Sequence, residues 1–137
     1  MLAMFESKVL PAAVTATAPD GSDVRVLLEA RGGGLAHFEL GPNETAVSVR
    51  HRTVDEVWYF VGGRGEMWRR LAGREECVDV YPGMCLTIPA GTEFQFRSGS
   101  AEPLAAIGVT MPPWPGEGEA VIVEDGPWEP SVPPGPV

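Results

Sequence analysis

Two residues with acid–base chemistry, His51 and Glu56, stand five positions apart within the stretch 50–63. From Glu56 onward nearly every side chain is β-branched or aromatic, until the stretch ends at Gly62-Gly63. Such side chains favour a β-strand, and paired glycines favour a turn at its end. An imidazole titrates near neutral pH, and a carboxyl group in apolar surroundings can be shifted to titrate there too. His51 and Glu56 are therefore the candidate catalytic residues for proton transfer.

The strand in this stretch has apolar side chains on both faces. Trp58 and Phe60 share one face, whereas Val57, Tyr59 and Val61 share the other. This pattern is typical of a strand inside a sheet that is covered on both sides. We therefore predict a central strand, with the second face covered by N-terminal strands, the tail or another subunit. The next segment, residues 65–71, is expected to return beside it as a hairpin.

The composition fits a single all-β domain. The chain has 137 residues, 44% of them hydrophobic, which suffices for one independent core. Its 17 Gly and 14 Pro divide it into short segments, eight or more of which have strand character, and none has a convincing helical period. We predict an antiparallel β-barrel or jelly roll, with N-terminal strands over 12–30, a core over about 35–110 and a tail over 111–137.

The charge balance argues against nucleic acid as a partner. The formal net charge is -9, and phosphate binding requires a basic surface. Six of the ten cationic side chains lie between residues 50 and 74, where a solvated charged face is favoured over an anion site. No apolar run approaches the ~18 residues of a membrane span, and no signal peptide is evident. We therefore expect a cytoplasmic protein without a membrane partner.

The other histidine and the two cysteines are not expected to form the site. His37 lies on the strand face opposite to Phe38 and Leu40, so we predict a surface position for it. Cys77 and Cys85 are too few for a disulfide framework. We expect both to be buried free thiols, although a contact across neighbouring strands stays open.

The tail has a composition of its own. Two Pro-Trp elements, around Trp114 and Trp128, flank a short apolar run over 120–123. Proline removes ladder donors, so the tail is not central sheet, and its two indoles are expected to dock on the barrel. Covering an open sheet edge is favoured over acting as a substrate lid. Residues 133–136 are expected to fray as polyproline.

These residues resemble the cupins, whose first motif is G-x5-H-x-H-x(3,4)-E-x6-G. His51, Glu56 and Gly63 match it, whereas Val49 replaces the first His. The resemblance implies a cupin-type antiparallel barrel, also called a double-stranded β-helix. It also implies a homodimer joined through sheet faces or exchanged N-terminal strands.

The second cupin motif, G-x5-P-x-G-x2-H-x3-N, is kept only in its turn residues. Gly83, Pro89 and Gly91 match, whereas Phe94 replaces the His and Ser98 replaces the Asn. In cupins three His and one Glu hold a divalent metal, so half of the ligand positions are lost here. The resemblance therefore implies a degenerate metal site and no conventional cofactor. Should a metal bind, His51 and Glu56 are its candidate ligands.

Three functions stay open for such a barrel. The first is binding of a small apolar or aromatic ligand in a pocket lined by Trp58, Phe60, Phe94 and Phe96. The second is an isomerase, epimerase, dehydratase or cyclase that uses the His51 and Glu56 pair as acid and base. The third is a structural or regulatory dimer whose barrel is filled by its own aromatic side chains. A bulge between Arg52 and Asp55 could turn His51 away from the barrel centre.

Overall fold

The computed structural model describes residues 4–99 and 101–137, whose strands form two antiparallel sheets. One sheet has six strands in the order β1 (Ala16–Thr17), β2 (Asp23–Ala30), β3 (Gly33–Leu40), β10 (Leu104–Met111), β5 (Asp55–Gly62) and β8 (Cys85–Ile88). The other has five, in the order β11 (Ala120–Ile122), β4 (Val49–His51), β9 (Glu93–Ser98), β6 (Gly65–Leu71) and β7 (Arg74–Val80). The predicted all-β fold is confirmed. The described residues contain no helix that is long and apolar enough to cross a membrane.

The core lies between the two sheets and is rich in aromatic rings. Trp58 of β5 stacks on Phe38 of β3 with ring centroids 4.9 Å apart, and it meets Phe96 of β9 edge to face at 5.0 Å. Such pairs contribute about 0.5–1.5 kcal/mol each beyond their burial. Gly108 of β10 makes room for the stack, because a Cβ there would collide with the Phe38 ring. Alternation along β5 thus places Trp58 and Phe60 in the core, as predicted.

The outer face of β5 is open in the single chain. β5 pairs with β10 on one side and β8 on the other, which confirms that it is not an edge strand. Its outward side chains are nevertheless exposed: Val57 by 40%, Tyr59 by 52% and Val61 by 44%. In the described part of the chain neither the N-terminal strands nor the tail covers these side chains, so of the three expected covers only another subunit stays open.

The hairpin predicted between β5 and β6 does not form. β6 pairs with β7 and β9 in the five-stranded sheet, whereas β5 stays in the six-stranded sheet. The chain crosses between the sheets at Gly63, which has φ +75° and approaches the Pro103 carbonyl so closely that a Cβ would collide with it. Only glycine fits this corner, and the crossing places the two strands in different layers.

Three expectations about single side chains are wrong. His37 does lie on the face opposite Phe38, but it is buried. The segment before β1 crosses near this face, where Arg25, the cross-strand neighbour of His37, donates a hydrogen bond to Ala12 O. Cys77 and Cys85 are free but exposed. They lie on β7 and β8, which belong to different sheets, because the chain changes layer between them.

Candidate functional site

His51 and Glu56 come from different sheets and meet at the corner where the chain passes between them. His51 is the last residue of β4, and Glu56 is the second residue of β5. Both point inward, with only 6% and 3% of their surfaces exposed, so no bulge turns His51 away. His51 Nδ1 lies 3.6 Å from Glu56 Oε1 and has no hydrogen-bond partner within residues 4–99 and 101–137. The geometry brings one imidazole and one carboxyl group together out of water.

Glu119, which the sequence did not single out, fixes the turn between these two strands. Its carboxylate accepts hydrogen bonds from Thr53 N at 2.7 Å, Thr53 Oγ1 at 2.6 Å and Val54 N at 3.0 Å. Burial raises the pKa of Glu119, but these bonds and the charge of His51 outweigh it, so the pKa lies below its usual value. No local pattern connects residue 119 with residue 53, and only the tertiary fold reveals this clamp.

The kept turn residues of the second motif hold the same corner from the other side. Gly91 N donates a hydrogen bond to His51 O at 2.8 Å, and Ala90 N donates one to Asp55 Oδ1 at 2.8 Å. The turn before β9 therefore ties down the end of β4 and the start of β5. This turn therefore helps to position His51 and Glu56, although the His and Asn of the motif are replaced in this chain.

Burial controls the protonation of the pair. It raises the pKa of Glu56 to about 8; the hydrogen bond from Trp58 lowers it, and the charges of Asp20 and Glu119 raise it. Burial lowers the pKa of His51 to about 4, although the charge of Glu119 raises it. Near pH 7 the carboxyl group is protonated and the imidazole is neutral. The 3.6 Å contact is therefore not an ion pair under these conditions.

A cavity of about 350 Å³ opens beside the pair. Its wall is mainly apolar and comes from β1 to β3 with the turn between β1 and β2, from inward side chains of β4, β5, β9 and β10, and from the tail. Trp58 and Phe94 line it, whereas Phe60 and Phe96, also proposed for the pocket, are buried in the core outside its wall. The barrel is thus not filled by its own aromatic side chains.

The tail both covers a sheet edge and forms part of the cavity wall. Its strand β11 pairs with β4, so it covers the edge as predicted. Trp114 lies against His51 with ring centroids 4.8 Å apart, and Arg97 lies 4.1 Å above the Trp128 ring, so both indoles dock. The end of the tail does not fray: Gly135 N donates a hydrogen bond to Ala18 O, because the chain passes closely over the turn after β1. Gln95, on the face of β9 opposite Phe94 and Phe96, is buried beneath the tail, and its Nε2 donates a hydrogen bond to Trp128 O.

Asp20, which lies in the turn between β1 and β2, is a second acid in the cavity wall. It is buried, and its Oδ1 accepts hydrogen bonds from Ser22 N at 2.9 Å and Ser22 Oγ at 2.6 Å. Burial raises the pKa of Asp20, although both of these bonds lower it. The charge of Asp20 raises the pKa of Glu56, so ionisation of one carboxyl group opposes ionisation of the other.

The residues at the metal position of the cupin motifs do not fit a metal. Among residues 4–99 and 101–137, no three His, Cys, Asp or Glu side chains are grouped as metal ligands. Phe94 presents its ring edge-on to His51 at a centroid distance of 5.3 Å, where the motif has an imidazole. Trp58 Nε1 donates to Glu56 Oε2 at 2.9 Å and occupies that oxygen. A two-ligand site of this kind lacks the donors that a resident metal requires.

Comparison with solved structures identifies the fold. Oxalate decarboxylase of Bacillus subtilis matches with a TM-score of 0.73 and 15% identity, over 90% of this chain and 33% of that one. Lactobacillus farciminis oxalate decarboxylase, in a formate complex, matches at 0.68 and 16%, over 80% and 33%. An uncharacterized Klebsiella pneumoniae protein with a double-stranded β-helix domain matches at 0.66 and 16%, over 87% and 99%. No protein-family model and no curated protein matches the sequence.

This chain therefore has the cupin fold. It spans about a third of the length of the two decarboxylases. The Bacillus subtilis enzyme contains Mn(II) centers, and the Phe94 position marks where the present chain departs from a metal-binding cupin motif.

Proposed function

We propose that this protein is a small-molecule-binding cupin barrel that holds its ligand without a conventional metal. The observation that carries the proposal is the cavity of about 350 Å³ beside His51 and Glu56. Its volume is at the lower end of the range of small-molecule sites, and its wall combines apolar surface with few polar groups. A ligand with an apolar or aromatic body fits such a wall, and a polar group on it would reach His51 Nδ1 or Glu56 Oε1.

A neutral apolar dye tests whether the cavity takes a ligand. Nile red should bind with saturable fluorescence, and Ala36→Phe should abolish that binding, since Ala36 lines the cavity. Ala105→Phe is the matched control, because Ala105 lies on β10 outside the cavity wall. Equal dye binding by the wild type and Ala36→Phe, or no saturable binding by the wild type, would contradict the proposal.

A second function, proton transfer in an isomerase, epimerase, dehydratase or cyclase, is favoured by the opposite roles of the pair. Near pH 7 the neutral His51 can accept a proton and the protonated Glu56 can donate one on the same cavity wall. Such an enzyme exchanges an acidic C–H of its substrate with solvent. Deuterium incorporation from D₂O into a pool of small carbonyl compounds, measured by NMR, should then depend on both side chains. Incorporation that persists in His51→Ala and Glu56→Gln would exclude this function.

A further inference from the structure

Apart from His51, the ionisable side chains that line the cavity are all acidic. Four acidic side chains line it: Asp20, Glu29, Glu56 and Glu117. No Lys or Arg is among the described residues of this wall. His51 is the one further titratable group among the described residues of the wall, and its buried Nδ1 finds no hydrogen-bond partner in that part of the chain. The arginines of β6, in contrast, are paired with acids: Arg69 with Glu76 and Arg70 with Glu93.

This distribution of charge disfavours an anionic ligand. A carboxylate or phosphate entering the cavity would meet no Lys or Arg of the described wall and would approach the buried acids Asp20 and Glu56 in a region of low dielectric. The chain as a whole also carries a net charge of -9, which slows the approach of anions. A cationic ligand is favoured instead, because it can form ion pairs with the carboxyl groups of the wall.

The wall also offers acceptors and an aromatic face suited to an ammonium group. Trp58 donates to Glu56 Oε2, so Oε1 is the oxygen that faces His51. Both hydrogen bonds from Ser22 go to Asp20 Oδ1, and Oδ2 accepts neither of them. An ammonium group has three N–H donors for such oxygens. The partly exposed indole ring of Trp114 in the same wall can attract a cation through its face.

We propose, building on the ligand-binding function above, that the cavity takes a primary amine with an aromatic or apolar body. Its ammonium group pairs with the carboxyl groups of Glu56 and Asp20, and its body lies against the apolar wall. The bound cation ionises Glu56, which is protonated near pH 7 in the empty cavity. The proton balance follows: the amine enters as the ammonium ion, Glu56 loses its proton to the buffer, and one proton is released for each ligand bound.

The groups that act on Glu56 set the size of this release. Asp20 and Glu119 oppose its ionisation, and Trp58 favours it through its hydrogen bond. His51 faces it from β4, and Glu29 and Glu117 line the cavity from β2 and the tail. None of these is a permanent cation, so the ligand itself must supply the positive charge that holds Glu56 ionised.

Three probes of matched shape test the proposal: 2-phenylethylamine, 2-phenylethanol and 3-phenylpropanoate. Isothermal titration calorimetry at pH 7 should show that the amine binds about tenfold or more tightly than the alcohol, and that the carboxylate binds weakest. Titrations in two buffers of different ionisation enthalpy should show release of close to one proton per amine. Glu56→Gln should abolish that proton release, and Asp20→Asn should lower the affinity for the amine about tenfold. Glu124→Gln, an exposed tail acid outside the wall, is the control.

The outcomes separate this proposal from the function on which it rests. Equal or tighter binding of the alcohol or the carboxylate would overturn the amine proposal and leave the ligand-binding function standing. Amine binding without proton release would overturn the assigned role of Glu56. If no probe binds while Nile red does, the amine class is wrong. If Nile red also fails to bind, the ligand-binding function itself is contradicted.

Discussion

The indole N–H of Trp58 donates a hydrogen bond to Glu56 Oε2 at 2.9 Å, two residues back along the same strand. Both side chains point inward from β5, because residues two apart share a face. Trp58 thereby joins the two functions of this strand, since its ring packs in the aromatic core and its N–H holds the candidate acid. The contact links the stability of the barrel to the protonation of its site.

Trp58→Phe should remove this donor and leave Glu56 Oε2 without it. We expect a loss of unfolding free energy on the order of 2–4 kcal/mol, from the lost bond and the smaller ring. Because the bond lowers the pKa of Glu56, its removal should move that pKa above about 8. Infrared titration of the protonated carboxyl band measures the shift. Trp68→Phe is the control, since Trp68 donates to Glu75 and not to Glu56; an equal shift in both variants would contradict the assignment.

The stability of the protein should fall as pH rises from 6.5 to about 8. The folded-state pKa of Glu56 is raised to about 8 from 4.5, so folding loses stability as pH rises between these values. The folded-state pKa of His51 is lowered to about 4 from 6.5, so His51 adds stability as pH rises to 6.5. The two effects oppose each other from 4.5 to 6.5, and above 6.5 only that of Glu56 acts.

The expected loss above pH 6.5 is on the order of 2 kcal/mol. Urea unfolding of the wild type and Glu56→Gln at several pH values isolates this contribution, since Asp20, with a raised pKa of its own, is common to both. The wild type should lose stability relative to the variant between pH 6.5 and 8. Parallel pH profiles for the two proteins would exclude ionisation of Glu56 as the cause.

Phe94→His should create metal binding that the wild type lacks. We expect the wild type to purify with well under one equivalent of Mn, Fe, Ni or Zn. A histidine at position 94 would face His51, whose ring now meets the edge of Phe94. Metal analysis should show higher occupancy in Phe94→His, and its combination with His51→Ala or Glu56→Gln should abolish the gain. The loss of ring packing should cost on the order of 3 kcal/mol.

The control for this variant is Phe96→His, two residues further along the same face but outside the cavity wall. It should lose stability without gaining metal. Stoichiometric metal in the wild type would overturn the reading of Phe94 as a replaced ligand.

Glu119→Ala should loosen the corner that joins His51 and Glu56. Loss of an ionised acceptor for three hydrogen bonds should lower the unfolding free energy by on the order of 3 kcal/mol. The charge of Glu119 also raises the pKa of Glu56, so that pKa should fall in the variant. Denaturant unfolding and infrared titration measure the two effects. Glu124→Ala, an exposed acid in the same tail, should change neither; an unchanged stability of Glu119→Ala would refute the clamp.

A second copy of this chain is the expected cover for the outer face of β5. Val57, Tyr59 and Val61 form an exposed apolar strip there, which a second copy of the chain would bury. Light scattering at micromolar concentration should give the mass of a dimer, and Tyr59→Glu should give a monomer. Leu71→Glu, at a comparably exposed apolar position in the other sheet, is the control. A monomeric wild type would contradict the expectation.

The sequence by itself determined the local elements and the fold class. β-branched and aromatic runs set the strands, and glycine and proline set the turns, because both act within a few residues. Alternation placed Trp58 and Phe60 in the core and Val57, Tyr59 and Val61 outside it. The motif residues between His51 and Gly91 predicted the cupin fold, and the similarity to solved structures confirms that fold.

Only the tertiary structure decided what surrounds each side chain. The chain passes from one sheet to the other at Gly63, so β6 does not pair with β5. His51 and Glu56 likewise belong to different sheets and come into contact at the corner between them. Asp20 and Glu119 come to the same corner from 31 residues before His51 and 63 residues after Glu56. Such neighbours depend on how the sheets fold over one another, whereas periodicity reports only the face of a strand. The pKa values follow from that enclosure, because burial is a property of the whole fold.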